Sequence, residues 1–393
     1  MSAAAHAERT PPIPAVPANY HFGKLHVLIT SRCNFTCVMC SIIHEGKDAL
    51  SEAQLRSLIE EADRLGFDEV EISGGEPYYL PYFRTVLEDY AGNTQVNLKV
   101  CTNAFHLDEA LVRALAGRPR LHFQVSFDGT REVHNAIRVQ NRYDAFPQSD
   151  RNLRSLAAAG ISTSLNTVIQ RHNVGNVLDT YRYFRDVPYL FHGFGIVEAD
   201  SWNFADNDFL PEQLQPLADE LDQVLHEAKR DRKNVGIDHE MIEHIRNRGG
   251  EEGHRNPGFP LHAGYGCTVP WSIVIVDQRG YVFPCFHTDW GDRSRFTIRE
   301  RSLSDVLFSP EYIERSRARV AIDGCSGCTT ACYFHDPVFR RKCLNPTPYD
   351  IALRDTQRAF LRKRRRAVRL AQSLGVKEPL RKLRGRISRF VHT

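Results

Sequence analysis

Residues 31–40 read SRCNFTCVMC, and three of the chain's ten cysteines stand in them, at Cys33, Cys37 and Cys40. The stretch follows an apolar run, residues 24–31, whose density of Val, Leu and Ile suits a strand covered on both faces of a parallel sheet. Five similar runs come later, at 69–73, 97–102, 121–127, 161–169 and 189–197. Helix patterns lie between them. The clearest opens at Ser51, where Gln54 completes a capping box. Leu55, Leu58, Ile59, Ala62 and Leu65 then form one apolar stripe, and Gly66 stops it. Six strands alternating with helices predict consecutive right-handed βαβ units, closed as a partial (β/α)6 barrel or left as an open sheet. Both forms place ligand chemistry at the loops leaving the C-terminal strand ends, where the cysteines are.

At 393 residues, 25% charged and 42% hydrophobic, the chain suits one large α/β unit with an appendage. It can bury a sizeable core without disulfides. No run of about 18 apolar residues is present, which excludes a transmembrane helix. Residues 1–22 form a Pro-rich leader without the apolar stretch of a signal peptide, so a cytoplasmic protein is expected. Its thiols then stay reduced, which points to metal, cluster or thiol chemistry rather than crosslinks. The barrel is assigned to residues 23–235 and ends in a helical stretch at 212–233. A linker region at 236–265 holds most of the loop GGEEGHRNPGFPLHAGYG. A small domain at 266–348 follows, with a hairpin at 272–283 turning around Asp277–Gly280 and a helix at 304–318.

The last 45 residues, 349–393, read as a basic helical tail. From Arg358 onward there are thirteen Lys or Arg and one acid, Glu378, so the rest of the chain is acidic. Phe360, Ala367, Val368, Ala371 and Leu374 recur at helical spacing. Such a helix suits an anionic surface, lipid or RNA, and equally suits docking on the acidic body.

The spacing C-x3-C-x2-C lets three thiolates hold three irons of a cubane cluster and leaves the fourth iron open to a small molecule. A structural zinc site is the alternative, but it wants four closed ligands, and nothing adjacent to Cys40 supplies the fourth. A second group lies further on. Cys267 and Cys285 bracket the hairpin, and Cys325 and Cys328 follow as C-x2-C, together a closed four-thiolate site for a cluster or for zinc. Cys332 and Cys343 are left over, as buried structural thiols or hydrogen-atom donors. Cys101 on the third strand reads as core.

The cysteine triplet at the end of the first strand resembles the signature of the radical S-adenosylmethionine (SAM) superfamily. The resemblance covers residues 24–200 and includes Ser73-Gly74-Gly75-Glu76-Pro77, similar to that family's GGE motif. It implies a [4Fe–4S] cluster on Cys33, Cys37 and Cys40 whose open iron chelates SAM. One electron, from a flavodoxin- or ferredoxin-type donor, cleaves SAM to methionine and a 5′-deoxyadenosyl radical, which takes a hydrogen atom from substrate. By the same resemblance Gly74, Gly75 and Glu76 meet the SAM methionine. Thr102, Asn103, Ser126 and Asp128 stand near its carboxylate and ribose, with Arg138, Asn166 and Val168 as further contacts. Met39 occupies a position near the adenine that is often aromatic in the family.

The later cysteines resemble the SPASM and shorter twitch extensions, which hold auxiliary clusters. A full SPASM pattern has seven cysteines, whereas six occur here between 267 and 343. One auxiliary [4Fe–4S] cluster on Cys267, Cys285, Cys325 and Cys328 is therefore expected, ahead of two clusters with Asp336 as a ligand. Only 32 residues precede Cys33, so a peptide-leader recognition domain is not expected. That favours a carbohydrate-containing, antibiotic-type substrate, epimerised with Cys343 or Cys332 as hydrogen donor. Dehydrogenation of a sugar or aminocyclitol alcohol comes next, then peptide modification, and, in a different class, a non-catalytic zinc or iron–sulfur protein. Glu198, Asp200, Trp202 and Asp206 are candidates for the substrate wall. His134, His192, His287 and His335 have no spacing that singles them out.

Overall fold

Each of the six apolar runs becomes a strand, and the six lie side by side in chain order, all parallel. They are β1 (Lys24–Thr30), β2 (Glu69–Gly74), β3 (Asn97–Thr102), β4 (Leu121–Ser126), β5 (Ser162–Ile169) and β6 (His192–Ile196). The structure is a computed structural model that describes residues 23–197, 204–237, 239–247, 273–284 and 293–321. Helices α1 (Glu52–Leu65), α2 (Phe83–Tyr90), α3 (Glu109–Leu115), α4 (Arg131–Arg138), α5 (Phe146–Ala158) and α6 (Val177–Phe184) fill the connections. In α1 the Ser51 hydroxyl accepts from Gln54 N at 3.2 Å while Gln54 Oε1 accepts from Ser51 N at 2.8 Å. Leu55, Leu58, Ile59 and Ala62 are buried on the sheet, and Gly66 ends the helix at φ +76°. Each fully buried leucine of such a stripe contributes about 2 kcal/mol.

The strands are largely covered on both faces, but only one face is apolar. Leu25, Val27 and Ile29 of β1 are fully buried, as are Val70 and Leu98 on the matching face of β2 and β3. The opposite face is polar. One row across the sheet runs His26, Glu71, Lys99, His122 and Ser162. Lys24 and Lys99 pair with Glu71 at 2.6 and 2.9 Å, and His122 bonds Ser162 and Ser164, each at 2.8 Å. The alternation is that of a barrel whose inside is a polar chamber rather than a second apolar core.

Beyond β6 come α7 (Phe204–Asn207), α8 (Pro211–Arg230), the short β7 (Val235–Gly236) beside β6, and α9 (His239–Asn247). Residues 239–247 were expected in a linker, but Ile242 and Ile245 are buried in a separate core with Leu217, Leu221 and Val224 of α8. The hairpin is present as β8 (Ile273–Val276) and β9 (Val282–Phe283), yet it is not a detached appendage. β8 pairs parallel to β1, Lys24 opposite Ile273 and Val27 opposite Val276, and covers what would be a bare edge. The helix expected at 304–318 is two, α10 (Leu303–Leu307) and α11 (Pro310–Ala321). Glu61 of α1 accepts from Leu303 N at 3.1 Å and Ser304 N at 2.8 Å, tying α10 to the barrel. Among the described residues no helix is long and apolar enough to cross a membrane.

Candidate active site

The loop after β1 is held from several sides. Thr36 N donates to Arg138 O at 3.2 Å and Val38 N to Ile137 O at 3.0 Å, so the loop is stitched to the end of α4. Ser31 Oγ donates to Gly46 O at 2.9 Å and Tyr143 Oη to Asn34 O at 2.9 Å. Phe35 is buried in a small core with Cys37, Val139 and Ala145. These ties turn Cys33, Cys37 and Cys40 into one cavity of about 130 Å³, which Gly74, Gly75, Glu76, Thr102, Asn103, Ser126 and Arg138 also line. All three thiols are free. Burial pushes the Cys37 thiol up to about 12, and burial also raises Cys33 and Cys40. Without a cation the three are neutral at pH 7, and metal binding must release their protons.

Three cysteines of one loop that share a cavity can each bind a different iron of a cubane and leave the fourth iron to another ligand.

The GGE segment is shaped by how closely β2 approaches this loop. Gly74 has φ +118°, and a Cβ there would lie 2.5 Å from Thr30 O. A Cβ on Gly75 would lie 2.0 Å from Arg32 O. Only glycine permits that contact, in which Gly75 N donates to Thr30 O at 2.6 Å and Glu76 N to Arg32 O at 2.9 Å. Glu76 is 1% exposed. Its carboxylate accepts from Thr102 Oγ1 at 2.8 Å, Asn103 N at 2.9 Å and Tyr78 N at 3.3 Å. Burial pushes its pKa up to about 7 against the pull of those donors. A carboxylate offers about four acceptor positions, so one remains for a ligand cation. Asn103 Nδ2 bonds Asn34 Oδ1 at 2.9 Å, joining the end of β3 to the cysteine loop.

Asp128 and Arg138 form a buried pair. Arg138 Nη2 donates to Asp128 Oδ1 at 3.1 Å, its Nε lies 2.8 Å from Oδ2, and Val168 N donates to Oδ1 at 2.9 Å. Burial works against the guanidinium's charge, but Asp128 outweighs it and holds Arg138 protonated. Arg138 Nη1 also reaches Cys37 Sγ at 4.0 Å. Asp128 thus braces Arg138 rather than lining the cavity itself, and Val168 meets it through its backbone. Asn166 is paired across from Ser126 on the chamber face. Met39 accepts from Gln170 Nε2 at 3.7 Å and, like Asn166, stands outside the cavity lining.

Cys101 was expected in the core but lines the cavity, together with Ser73, Phe35 and Ile43. The signal was available in the alternation of β3, where Asn97, Lys99 and Cys101 share a face. His134 packs on Phe127 at 5.0 Å, and His192 stacks on Phe194 at 4.1 Å and bonds Thr167 Oγ1 at 2.9 Å, so both are core histidines. Burial lowers the pKa of each. Asp206 is exposed on α7. Glu198, Asp200, Trp202, Cys267, Cys285, Cys325, Cys328, Cys332, Asp336 and Cys343 lie outside the described residues, as do His287, His335, the leader and the tail.

Residues 27–184 match the model of the radical SAM superfamily, and residues 267–329 match that of the SPASM iron–sulfur cluster-binding domain. Residues 27–184 thus form a radical SAM domain and residues 267–329 a SPASM domain. Domains of the first kind bind a [4Fe–4S] cluster and SAM, and the second is an iron–sulfur cluster-binding domain. The chain is similar to the mycofactocin maturase MftC of Mycobacterium ulcerans (strain Agy99), 35% identical over 38% of this chain and 41% of that protein. It thus spans about two fifths of the length of that relative. It is similar over more of its length to the PqqA peptide cyclase of Gluconobacter oxydans (strain 621H), 27% identical over 65% of this chain and 68% of the relative. The fold is that of Streptococcus suis SuiB bound to S-adenosylmethionine, with a TM-score of 0.59 and 14% identity over 74% of this chain and 67% of that one. One of these relatives is named a peptide cyclase, and neither named relative is named for sugar epimerisation, alcohol dehydrogenation or an antibiotic-type carbohydrate.

Proposed function

We propose that this protein is a peptide-modifying radical SAM enzyme, with Cys33, Cys37 and Cys40 holding the SAM-binding cluster. The observation that carries the chemistry is the meeting of those three thiols with Glu76 in one cavity. The peptide substrate is supported by the likeness to a protein named a PqqA peptide cyclase. Cluster and SAM together supply a 5′-deoxyadenosyl radical able to abstract hydrogen from an unactivated carbon. The chain's own residues bind and orient. Glu76, held by Thr102, Asn103 and the Tyr78 amide, keeps one acceptor position for the SAM ammonium. Arg138, fixed by Asp128, places a positive charge beside Cys37 and favours its thiolate. Asn103 holds the loop through Asn34. The polar face below, from Ser73, Cys101 and Ser126 down to Glu71 and Lys99, receives the reacting substrate side chain. Cys267, Cys285, Cys325 and Cys328 all fall within the SPASM match and are assigned one auxiliary cluster, whereas Cys332 and Cys343 fall beyond its end.

The test is anaerobic turnover with dithionite, SAM and short open-reading-frame peptides encoded beside the gene. The expected result is 5′-deoxyadenosine together with a mass change in one peptide. Formation of 5′-deoxyadenosine that couples only to a sugar or aminocyclitol would overturn the substrate class.

A further inference from the structure

The loop that carries the three cysteines is closed at its neck. Ser31 N donates to Asp48 O at 3.0 Å and Leu50 N to Ile29 O at 2.9 Å, while Arg32 Nε donates to Lys47 O at 2.9 Å. Between Cys40 and that neck lies one 3-10 turn, Ile42–His44. Ile43 lines the cysteine cavity. The backbone N–H groups of Ile42 and Ile43 face Cys40 Sγ closely enough to act on its thiol. Yet the turn is weakly held by its own residues, since none of them is buried and no side chain caps it. Gly46, just beyond it, turns the chain back at φ +107°.

What holds this turn comes from the hairpin of β8 and β9, more than 200 residues later. Gln278 Nε2 donates to Glu45 Oε2 at 2.9 Å, and Arg279 Nη2 donates to Glu45 O at 2.8 Å. Arg279 Nε donates to Asp48 Oδ2 at 3.2 Å. The three bonds grip the chain on both sides of Gly46, and each has a charged donor or acceptor, the stronger kind of hydrogen bond. The gripping end is itself fixed. Asp277 Oδ1 accepts from Arg279 N and Tyr281 N, each at 2.9 Å, and Gln278 is 2% exposed. In the sequence, Cys267 and Cys285 stand on either side of this hairpin and within the SPASM match.

We propose that Gln278 and Arg279 are positioning residues for the SAM-binding cluster, through which the SPASM hairpin fixes the 42–44 turn against Cys40. The inference rests on Cys33, Cys37 and Cys40 holding that cluster. N–H groups beside a cluster sulfur offset its negative charge and raise the reduction potential. The second domain thereby sets how readily the cluster of the first is reduced.

The experiment uses the reconstituted full chain and two measurements, hydrogen–deuterium exchange by mass spectrometry and a redox titration followed by electron paramagnetic resonance. Arg279→Ala removes two of the three bonds, and Gln278→Glu sets a carboxylate against Glu45. Arg279→Lys is the conservative variant. Arg295→Ala is the control, because it breaks an exposed ion pair to Glu311, at 2.9 Å, inside the same domain. In Arg279→Ala and Gln278→Glu the amides of residues 42–45 are expected to exchange about tenfold faster. The midpoint potential of the SAM-binding cluster falls in both variants while that of the auxiliary cluster stays. Arg279→Lys restores part of each effect, and Arg295→Ala behaves as wild type. The proposal is overturned if exchange and potential stay at wild-type values in both variants, if Arg295→Ala moves them equally, or if the potentials of both clusters fall together. Those failures leave the response of the reduced-cluster signal to SAM intact in the wild type. A wild type whose signal ignores SAM overturns the cluster reading instead, and this proposal with it.

Discussion

The two halves of the barrel are built for different tasks. Among the described residues, every one that lines the cysteine cavity comes from β1 to β4 or the loops and helix that follow them, the last being Arg138. That half is tied tightly, with β2 pressed on the loop at Gly75 and α4 stitched to Thr36 and Val38. The half formed by β5, β6, α6, α8 and α9 has its own core and contributes no residue to the cavity. Its chamber face carries small groups instead, Ser164, Asn166, Gly193 and Gly195. A Cβ on Gly195 would meet nothing within 4 Å. One half is rigid enough to position a cofactor, and the other leaves room for a substrate.

Substitutions in the two halves should therefore fail differently. Cys37→Ser is expected to lower SAM cleavage about a thousandfold or more while the iron bound falls from about eight per chain to about four. Gly75→Ala pushes a methyl into Arg32 O, and a drop of about a hundredfold in SAM cleavage is expected, with thermal unfolding reporting a loss of about 2 kcal/mol. Gly195→Val should act on the other half. Abortive 5′-deoxyadenosine formation is expected to persist while peptide product falls about tenfold, read by mass spectrometry. Equal loss of both products would erase the distinction between the halves.

The smallest expected effect concerns the chamber floor. Burial opposes ionisation of Glu71, but His26, Lys24 and Lys99 hold its carboxyl well below the usual range. A depressed acid contributes stability above the unfolded-state pKa of about 4.3 and loses it as pH falls through the folded value. Glu71→Gln should thus cost about 1 kcal/mol at pH 7, because the lysines are partly solvated. Denaturant titration should show the gap closing as pH drops below about 4. A gap independent of pH would mean that the ion pairs contribute nothing.

Much of the cofactor half was legible because its signals are local. The cysteine spacing, the GGE turn and the Ser51–Gln54 capping box each lie within a few residues, and each appears in the structure where the sequence put it. What escaped was set by partners far along the chain. IVIV at 273–276 pairs with β1, some 250 residues earlier, and nothing in its composition distinguishes that from a free hairpin. Cys101 was assigned to the core because the strands read as apolar runs, whereas the alternation of Asn97, Lys99 and Cys101 turns it into the cavity. The clamp of Arg279 on Glu45 O at 2.8 Å joins the hairpin turn to the cysteine loop, a contact between groups without a sequence signature. The substrate class expected and the one proposed rest on different signals. The stretch before Cys33 was read for a leader-binding domain, while the proposed peptide rests on a likeness spread over more than half the chain.

The most direct test of the account is metal analysis joined to electron paramagnetic resonance on anaerobically reconstituted protein, reduced with dithionite, with and without SAM. The account predicts about eight irons per chain and a reduced-cluster signal that shifts when SAM is added. The Cys33→Ala/Cys37→Ala/Cys40→Ala variant should lose that signal and keep about four irons. Stoichiometric zinc without iron, or a signal indifferent to both SAM and those three cysteines, would contradict it.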